Sequence, residues 1–317
     1  MKTVIVTAVQ MVKGFRLGVL ALALLVAPYG LVACSSGDRS AVTAAGDCPT
    51  DPVPVVVSVD QWGDIVSALG GSCTTVTDLL AGSSVDPHDF EPSPADAVTV
   101  SHARLVVVNG GHYDEWATKL AAGSAPDAVV VTAFDSAAPG ATNPHVWYDP
   151  AAVDRFADAV SAELKKLSPE ATDYFTARRT AFTEAMGPYH AAVDKIAAAA
   201  KGRSYAATEP VFDDMAAALG LVDRTPDGYR RAATAESDPS PGDLSAFYTL
   251  LNNHGVDVLI YNSQTAGALP DKLRDTAAAA DVPVVAVTET VAPGSGSFQD
   301  WQLRQLTALA GALGVKL

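Results

Sequence analysis

The chain has 317 residues, 49% of them hydrophobic and 18% charged, a globular composition with enough length for two domains and outside the range of disordered segments. Its formal net charge of −15 argues against binding to nucleic acid or to anionic membrane surfaces and is compatible with collecting cations.

Lys2, Lys13 and Arg16 are the only charged residues in the first 33 positions. They precede the apolar run GVLALALLVAPYGLVA, which ends at Cys34 and is followed by SSGD. A basic segment, a short apolar segment and small residues before a cut site describe an export signal. Residues 1–33 are therefore read as a lipoprotein signal peptide, and LVAC resembles a bacterial lipobox in which Cys34 is acylated. The run contains Pro28 and Gly30 and is short for a bilayer span of ~20 residues, against a transmembrane anchor. Diacylation supplies the two lipid chains that stable anchoring needs, so an extracytoplasmic, lipid-anchored location is expected. Residues 34–50 are small and polar, a flexible tether. Cys48 and Cys73 remain as an even pair in an oxidising compartment, near the starts of two neighbouring strands, and a disulfide is favoured over free thiols.

PVPVVVSV (52–59) predicts a buried parallel strand, followed by a helix over 60–71, a strand over 73–80 and a loop. A helix (94–103), strand (104–110), helix (114–122) and strand (127–134) continue the βαβ alternation of a parallel sheet covered by helices. Residues 149–167 are amphipathic, with Pro150 at a helix start. Residues 168–202 form a long helical stretch in which Ser168 and Pro169 suit the start, Gly202 the stop, and Gly187-Pro188 a kink or a split. Alternation then resumes through 203–208, 211–221, 241–255, 256–262, 269–280, 282–290 and 298–313. The expected fold is α/β: an N-terminal lobe (51–167), a connecting helix (168–202) and a C-terminal lobe (203–317), with a ligand site in the cleft between lobes. No internal repeat is clear enough to use.

Two of the six histidines lie in proline-bracketed loops after strands, His88 in DPHDFEP and His145 in NPHVWYDP. Loops at the carboxyl ends of parallel strands are where such folds hold ligands, and flanking prolines hold an imidazole at a fixed angle. With carboxylates nearby, these histidines point to a metal site.

SVDPHDFEPSPADAVTVSHARLVVVNG resembles the first ligand loop, helix and strand of the zinc- and manganese-binding solute-binding proteins of ABC importers, the cluster A-I type. NPHVWYDP resembles the second ligand loop of that family, YAATEPVFDDMAAALGL its third segment and VPVVAVTETVAPGSGSFQDW its fourth, so the resemblance runs from about residue 52 to the C-terminus. It implies two α/β lobes bridged by a long backbone helix and the metal ligands His88, His145, Glu209 and Glu289. The third family position is commonly His or Glu; the fourth is commonly Asp, where this chain offers Glu289. Two neutral imidazoles and two carboxylates balance a divalent charge, and four protein ligands close the site, which suits binding rather than catalysis. Carboxylates favour Mn²⁺, while the Irving–Williams order keeps Zn²⁺ tight at such a site. Many zinc members carry a His-rich loop before the second histidine; SAPDAVVVTAFDSAAPGATNP here has no histidine. Asp86, Asp89, Glu91 and Asp149 are candidates to orient the two imidazoles.

His102, His190 and His254 are read as surface residues, His112 as a residue near the cleft, and Trp116, Trp147 and Trp301 as packing residues. The implied function is capture of Mn²⁺ or Zn²⁺ by a monomer and its delivery to a membrane permease driven by a cytoplasmic ATPase, with modest lobe closure. The alternatives are a binding protein for chelated metal (haem or a siderophore) and a secreted metallohydrolase. The latter lacks HExxH, GxSxG or a Cys/His nucleophile pairing, and no enzymatic activity is expected.

Overall fold

The computed structural model describes residues 46–82, 87–265, 267–291 and 294–317. The signal peptide, Cys34, most of the tether and Asp86 lie outside the described residues, as does the Asp89 side chain. Among the described residues no helix is long and apolar enough to cross a membrane.

The first sheet is built from β1 (Val53–Val59), β2 (Thr74–Leu80), β3 (Leu105–Val108) and β4 (Val129–Thr132) in the order β2-β1-β3-β4, all parallel. Central β1 and β3 are almost entirely buried, which is why they read as unbroken β-branched runs, whereas edge strand β2 alternates. Between the strands run α1 (Asp60–Gly70), α2 (Pro94–Ser101) and α3 (Glu115–Ser124). Ser93 starts α2 with a full capping box to Asp96.

The second sheet repeats that plan. β5 (Ser204–Ala207), β6 (Val222–Asp223), β7 (Val258–Asn262) and β8 (Val284–Val287) lie in the order β6-β5-β7-β8, again all parallel. Its helices are α7 (Asp213–Ala218), α8 (Asp227–Thr234), α9 (Pro241–Asn252), α10 (Ala268–Ala279) and α11 (Phe298–Ala312). In each sheet the chain order reverses between the first strand and its right-hand neighbour, β1 beside β3 and β5 beside β7, and loops at such reversals form crevices outside the carboxyl ends of strands.

Between the sheets run α4 (Pro150–Leu167), α5 (Thr172–Ala185) and α6 (Gly187–Ala200). Asp149 caps α4 by accepting from Ala151 N, with Pro150 in the first turn. The long helical stretch divides at Met186, just before Gly187-Pro188. Its start differs from the sequence expectation: Ser168 does not cap, because its hydroxyl is taken by Thr50 at 2.9 Å, and a single 3-10 turn over Pro169–Ala171 precedes α5.

One apolar cluster joins the two lobes. It runs from Val55 and Trp62 through Trp147, Tyr148 and Phe156 to Phe212, Trp301 and Val285. Trp147 and Trp301 are buried in it, as packing residues. Cys48 and Cys73 are bonded, with their Cα atoms 5.0 Å apart.

Candidate metal centre

His88 sits in a one-turn 3-10 helix, Pro87–Asp89, beyond the carboxyl end of β2. Trp116 of α3 fastens this turn: its Nε1 donates to Pro87 O at 2.9 Å, and its ring packs on Phe90 with centroids 4.6 Å apart. The His88 ring meets Tyr113 edge-on at 4.6 Å. Its Nδ1 lies 3.3 Å from Glu236 Oε1, on the opposite lobe.

His145 follows β4 and is buried. Its orientation is set by Asn143. The Asn143 amide donates to Pro210 O at 2.9 Å, so its oxygen faces the histidine and accepts from both His145 N (3.2 Å) and Nδ1 (2.7 Å). Nδ1 therefore carries a proton, which leaves Nε2 as the ring nitrogen turned toward Glu289 Oε2, at 3.7 Å. Asn109, at the end of β3, holds the same loop by donating to Pro144 O at 3.0 Å.

Glu289 follows β8 and is only 2% exposed. Oε1 accepts from Asn262 Nδ2 at 2.8 Å and Oε2 from the Tyr113 hydroxyl at 3.0 Å. Burial alone would push its carboxyl up, but His145, Asn262 and Tyr113 outweigh burial and hold it below its ordinary value. Glu209 follows β5. Oε1 accepts from Thr265 Oγ1 at 2.6 Å and Oε2 from the same Asn262 Nδ2 at 2.5 Å. Here burial prevails over those hydrogen bonds and the carboxyl is raised.

Ligand atoms of His88, His145 and Glu289 lie within 4.8 Å of one another. Glu209 stands outside this tight group, held back by Thr265 and Asn262, but lines the same cavity of about 1070 Å³. That volume far exceeds a bare ion, so convergence of donor atoms, not enclosure, fixes where a cation would sit. His112 also lines the cavity, with its Nδ1 2.6 Å from Glu115. His102 and His254 are exposed, and His190 lies 3.5 Å from Asp154, away from the cavity.

Among the described residues, Asn143 meets the His145 ring and Glu236 the His88 ring, and the sequence pointed to neither. Asp149 instead caps α4 and meets Arg155 at 3.5 Å, and Glu91 is exposed. Asn143 had a readable signal, two positions before a proline-flanked histidine. Glu236 had none, because it lies beyond a short polar helix.

Comparison with known proteins agrees with this architecture. The solved structure of the periplasmic zinc-binding protein TroA from Treponema pallidum matches with a TM-score of 0.71 and 20% identity, over 83% of this chain and 99% of that one. A Mn-bound periplasmic metal-binding protein from Candidatus Liberibacter asiaticus matches with a TM-score of 0.67 and 18% identity, over 82% and 99%. Among curated relatives, the high-affinity zinc uptake system protein ZnuA of Bacillus subtilis is 23% identical over 216 residues, 62% of this chain. The manganese-binding lipoprotein MntA of Halalkalibacterium halodurans is 27% identical over 135 residues, 41% of this chain. The matched segments span 66% and 45% of those two relatives' own lengths. The model of the family described as "ZnuA: Zinc-uptake complex component A periplasmic" matches residues 55–312, and the chain belongs to that family.

Proposed function

We propose that this protein captures a divalent transition metal, Mn²⁺ or Zn²⁺, between its lobes and delivers it to an ABC importer, with His88, His145, Glu209 and Glu289 as ligands. One observation carries the reading. His145 Nε2, aimed into the site by the hold of Asn143 on Nδ1, faces a buried Glu289 carboxylate at 3.7 Å. Two lone-pair donors so placed are favourable only with a proton or a cation between them. His88 brings a third donor within 4.8 Å, and Glu209 supplies the fourth by a short side-chain movement from Thr265. This set suits Mn²⁺ through its carboxylates and Zn²⁺ through its imidazoles.

Relatives named as manganese-binding and zinc-uptake proteins support the metal class, and the substrate-binding lipoprotein PsaA of Streptococcus pneumoniae, named for a manganese ABC transporter, supports a permease and its ATPase as partners. The word lipoprotein in the names of MntA and PsaA supports lipidation, which we place at Cys34 after removal of residues 1–33, with a tether over 34–50 holding a monomer outside the cytoplasm. The reading is one of binding, not catalysis. The apolar cluster that joins the lobes favours small lobe movements on loading.

The test is thermal unfolding of chelated protein with and without added metal. At 1,000 times its Kd a ligand stabilises the native state by about 4 kcal/mol, so Mn²⁺ or Zn²⁺ should raise the melting temperature clearly and Mg²⁺ should not. An unmoved melting curve with both transition metals refutes the proposal.

A further inference from the structure

Asp60 is the first residue of α1, at the carboxyl end of central strand β1. Its two carboxylate oxygens serve two different segments. Oδ2 accepts from Gly82 N at 2.8 Å, and Oδ1 accepts from Val291 N at 3.1 Å. Gly82 lies in the connection from β2 to His88. Val291 is two residues beyond Glu289, on the other lobe. One carboxylate therefore ties together the backbone of two segments, each leading to or from a proposed ligand.

We infer that Asp60 is a positioning residue for metal binding, which sets the separation between the His88 and Glu289 loops from behind the site. The inference rests on the ligand reading given above. The geometry requires a carboxylate: an asparagine in the same pose would set its NH2 group against one of the two amide N–H groups. The arrangement is costly, which argues that it is not mere filling. Asp60 is half-buried beside Asp64 and Asp78, and no Lys or Arg salt bridge reaches any of the three among the described residues. Groups held in such positions against their desolvation cost concentrate at functional sites. Asp64, one helical turn on, provides a control of similar burial. It also crosses to the other lobe, accepting from Phe298 N, but it touches neither ligand-bearing segment.

The experiment compares Asp60→Asn and Asp64→Asn in the full chain, reading Mn²⁺ affinity by chelator competition, the visible spectrum of the Co²⁺-loaded protein and the melting temperature of the metal-free protein. Both substitutions should lower the melting temperature. Only Asp60→Asn should also weaken Mn²⁺ binding at least tenfold and alter the Co²⁺ ligand-field bands, because only it displaces His88 relative to Glu289. Wild-type affinity and spectrum in Asp60→Asn overturn the inference, as does an equal loss of affinity in Asp64→Asn, which would mark a general effect of destabilisation. If Asp60→Asn does not fold, Asp60→Glu keeps the charge but moves the oxygens, and wild-type affinity and spectrum in that variant overturn the inference equally. Failure of the wild-type chain to bind Mn²⁺ or Co²⁺ would instead refute the metal reading itself.

Discussion

Glu209 and Glu289 share one hydrogen-bond donor: Asn262 Nδ2 lies 2.5 Å from Glu209 Oε2 and 2.8 Å from Glu289 Oε1. Asn262 ends β7, the strand between those that precede the two glutamates. Its amide thus stands between two carboxylates that would otherwise repel, and holds both facing the cleft before metal arrives.

Removing that amide should cost both affinity and stability. Asn262 is 1% exposed, so Asn262→Ala leaves two buried carboxylate oxygens short of a partner, at about 1–3 kcal/mol in the metal-free protein. Loss of an orienting partner of this kind weakens metal binding by roughly 10–100-fold. Competition with a colorimetric chelator measures the affinity, and urea unfolding the stability. An affinity within twofold of wild type would mean that the glutamates hold their positions without Asn262.

The lobes and the two histidine loops were legible in the sequence because their signals are local. Unbroken Val runs mark β1 and β3, and Pro-His pairs mark the loops. What escaped was non-local. The two sheets share one topology, yet no internal repeat could be read, since the common plan survives only as strand order and as an asparagine closing equivalent strands, Asn109 after β3 and Asn262 on β7. The endings VVVN and LIYN were the available hint. β6 and α8 were also missed: β6 is two residues long, and α8 buries only Tyr229, so neither has a periodic apolar face to read. With them went Glu236, which follows α8 and reaches His88 across the cleft.

Glu236 therefore makes a second prediction. It is mostly exposed, at 68%, and its Oε1 lies 3.3 Å from His88 Nδ1. A partner of that exposure contributes little to stability, but it bridges the lobes at the opening of the cavity. Glu236→Ala should release bound metal several-fold faster while leaving the melting temperature of the metal-free protein nearly unchanged. Stopped-flow mixing of loaded protein with excess chelator measures the release rate. Identical release in wild type and variant would show that the contact does not restrain the loaded cleft.

The Cys48–Cys73 bond gives a third. The two cysteines are 25 residues apart and join the start of the first lobe to the turn before β2. Closing a loop of that length stabilises by about 3 kcal/mol in the chain-entropy model. Reduction, or the double change to Ser, should lower the melting temperature by several degrees without altering Mn²⁺ affinity, because neither cysteine lines the cavity. A changed affinity would connect the disulfide to the site.

The last concerns pH and the acidic group behind the site. Burial first, and then the charges of Asp60 and Asp64, push the Asp78 carboxyl up to about 7 from an ordinary 3.8. Between those values the folded chain keeps a proton that the unfolded chain has lost. Folding therefore binds protons, and stability falls as pH rises from about 4 to about 7, with the loss complete above the folded value. At about 1.36 kcal/mol per unit, the loss is on the order of 4 kcal/mol, and burial raises Asp60 and Asp64 in the same direction. Asp78→Asn removes the titrating group while keeping its shape. The metal-free variant should match wild type near pH 4 and exceed it by several kcal/mol above pH 8, measured by urea unfolding across that range. Its partner in packing is Gly63 of α1, where an added Cβ would come 1.8 Å from Asp78 Oδ1. Gly63→Ala should thus destabilise the wild-type chain by about 1–3 kcal/mol, and far less when Asp78 is also shortened to Ala, a coupling that a double-mutant cycle resolves. Parallel pH curves for wild type and Asp78→Asn would show that Asp78 ionises at its ordinary pH, as an unburied carboxylate does.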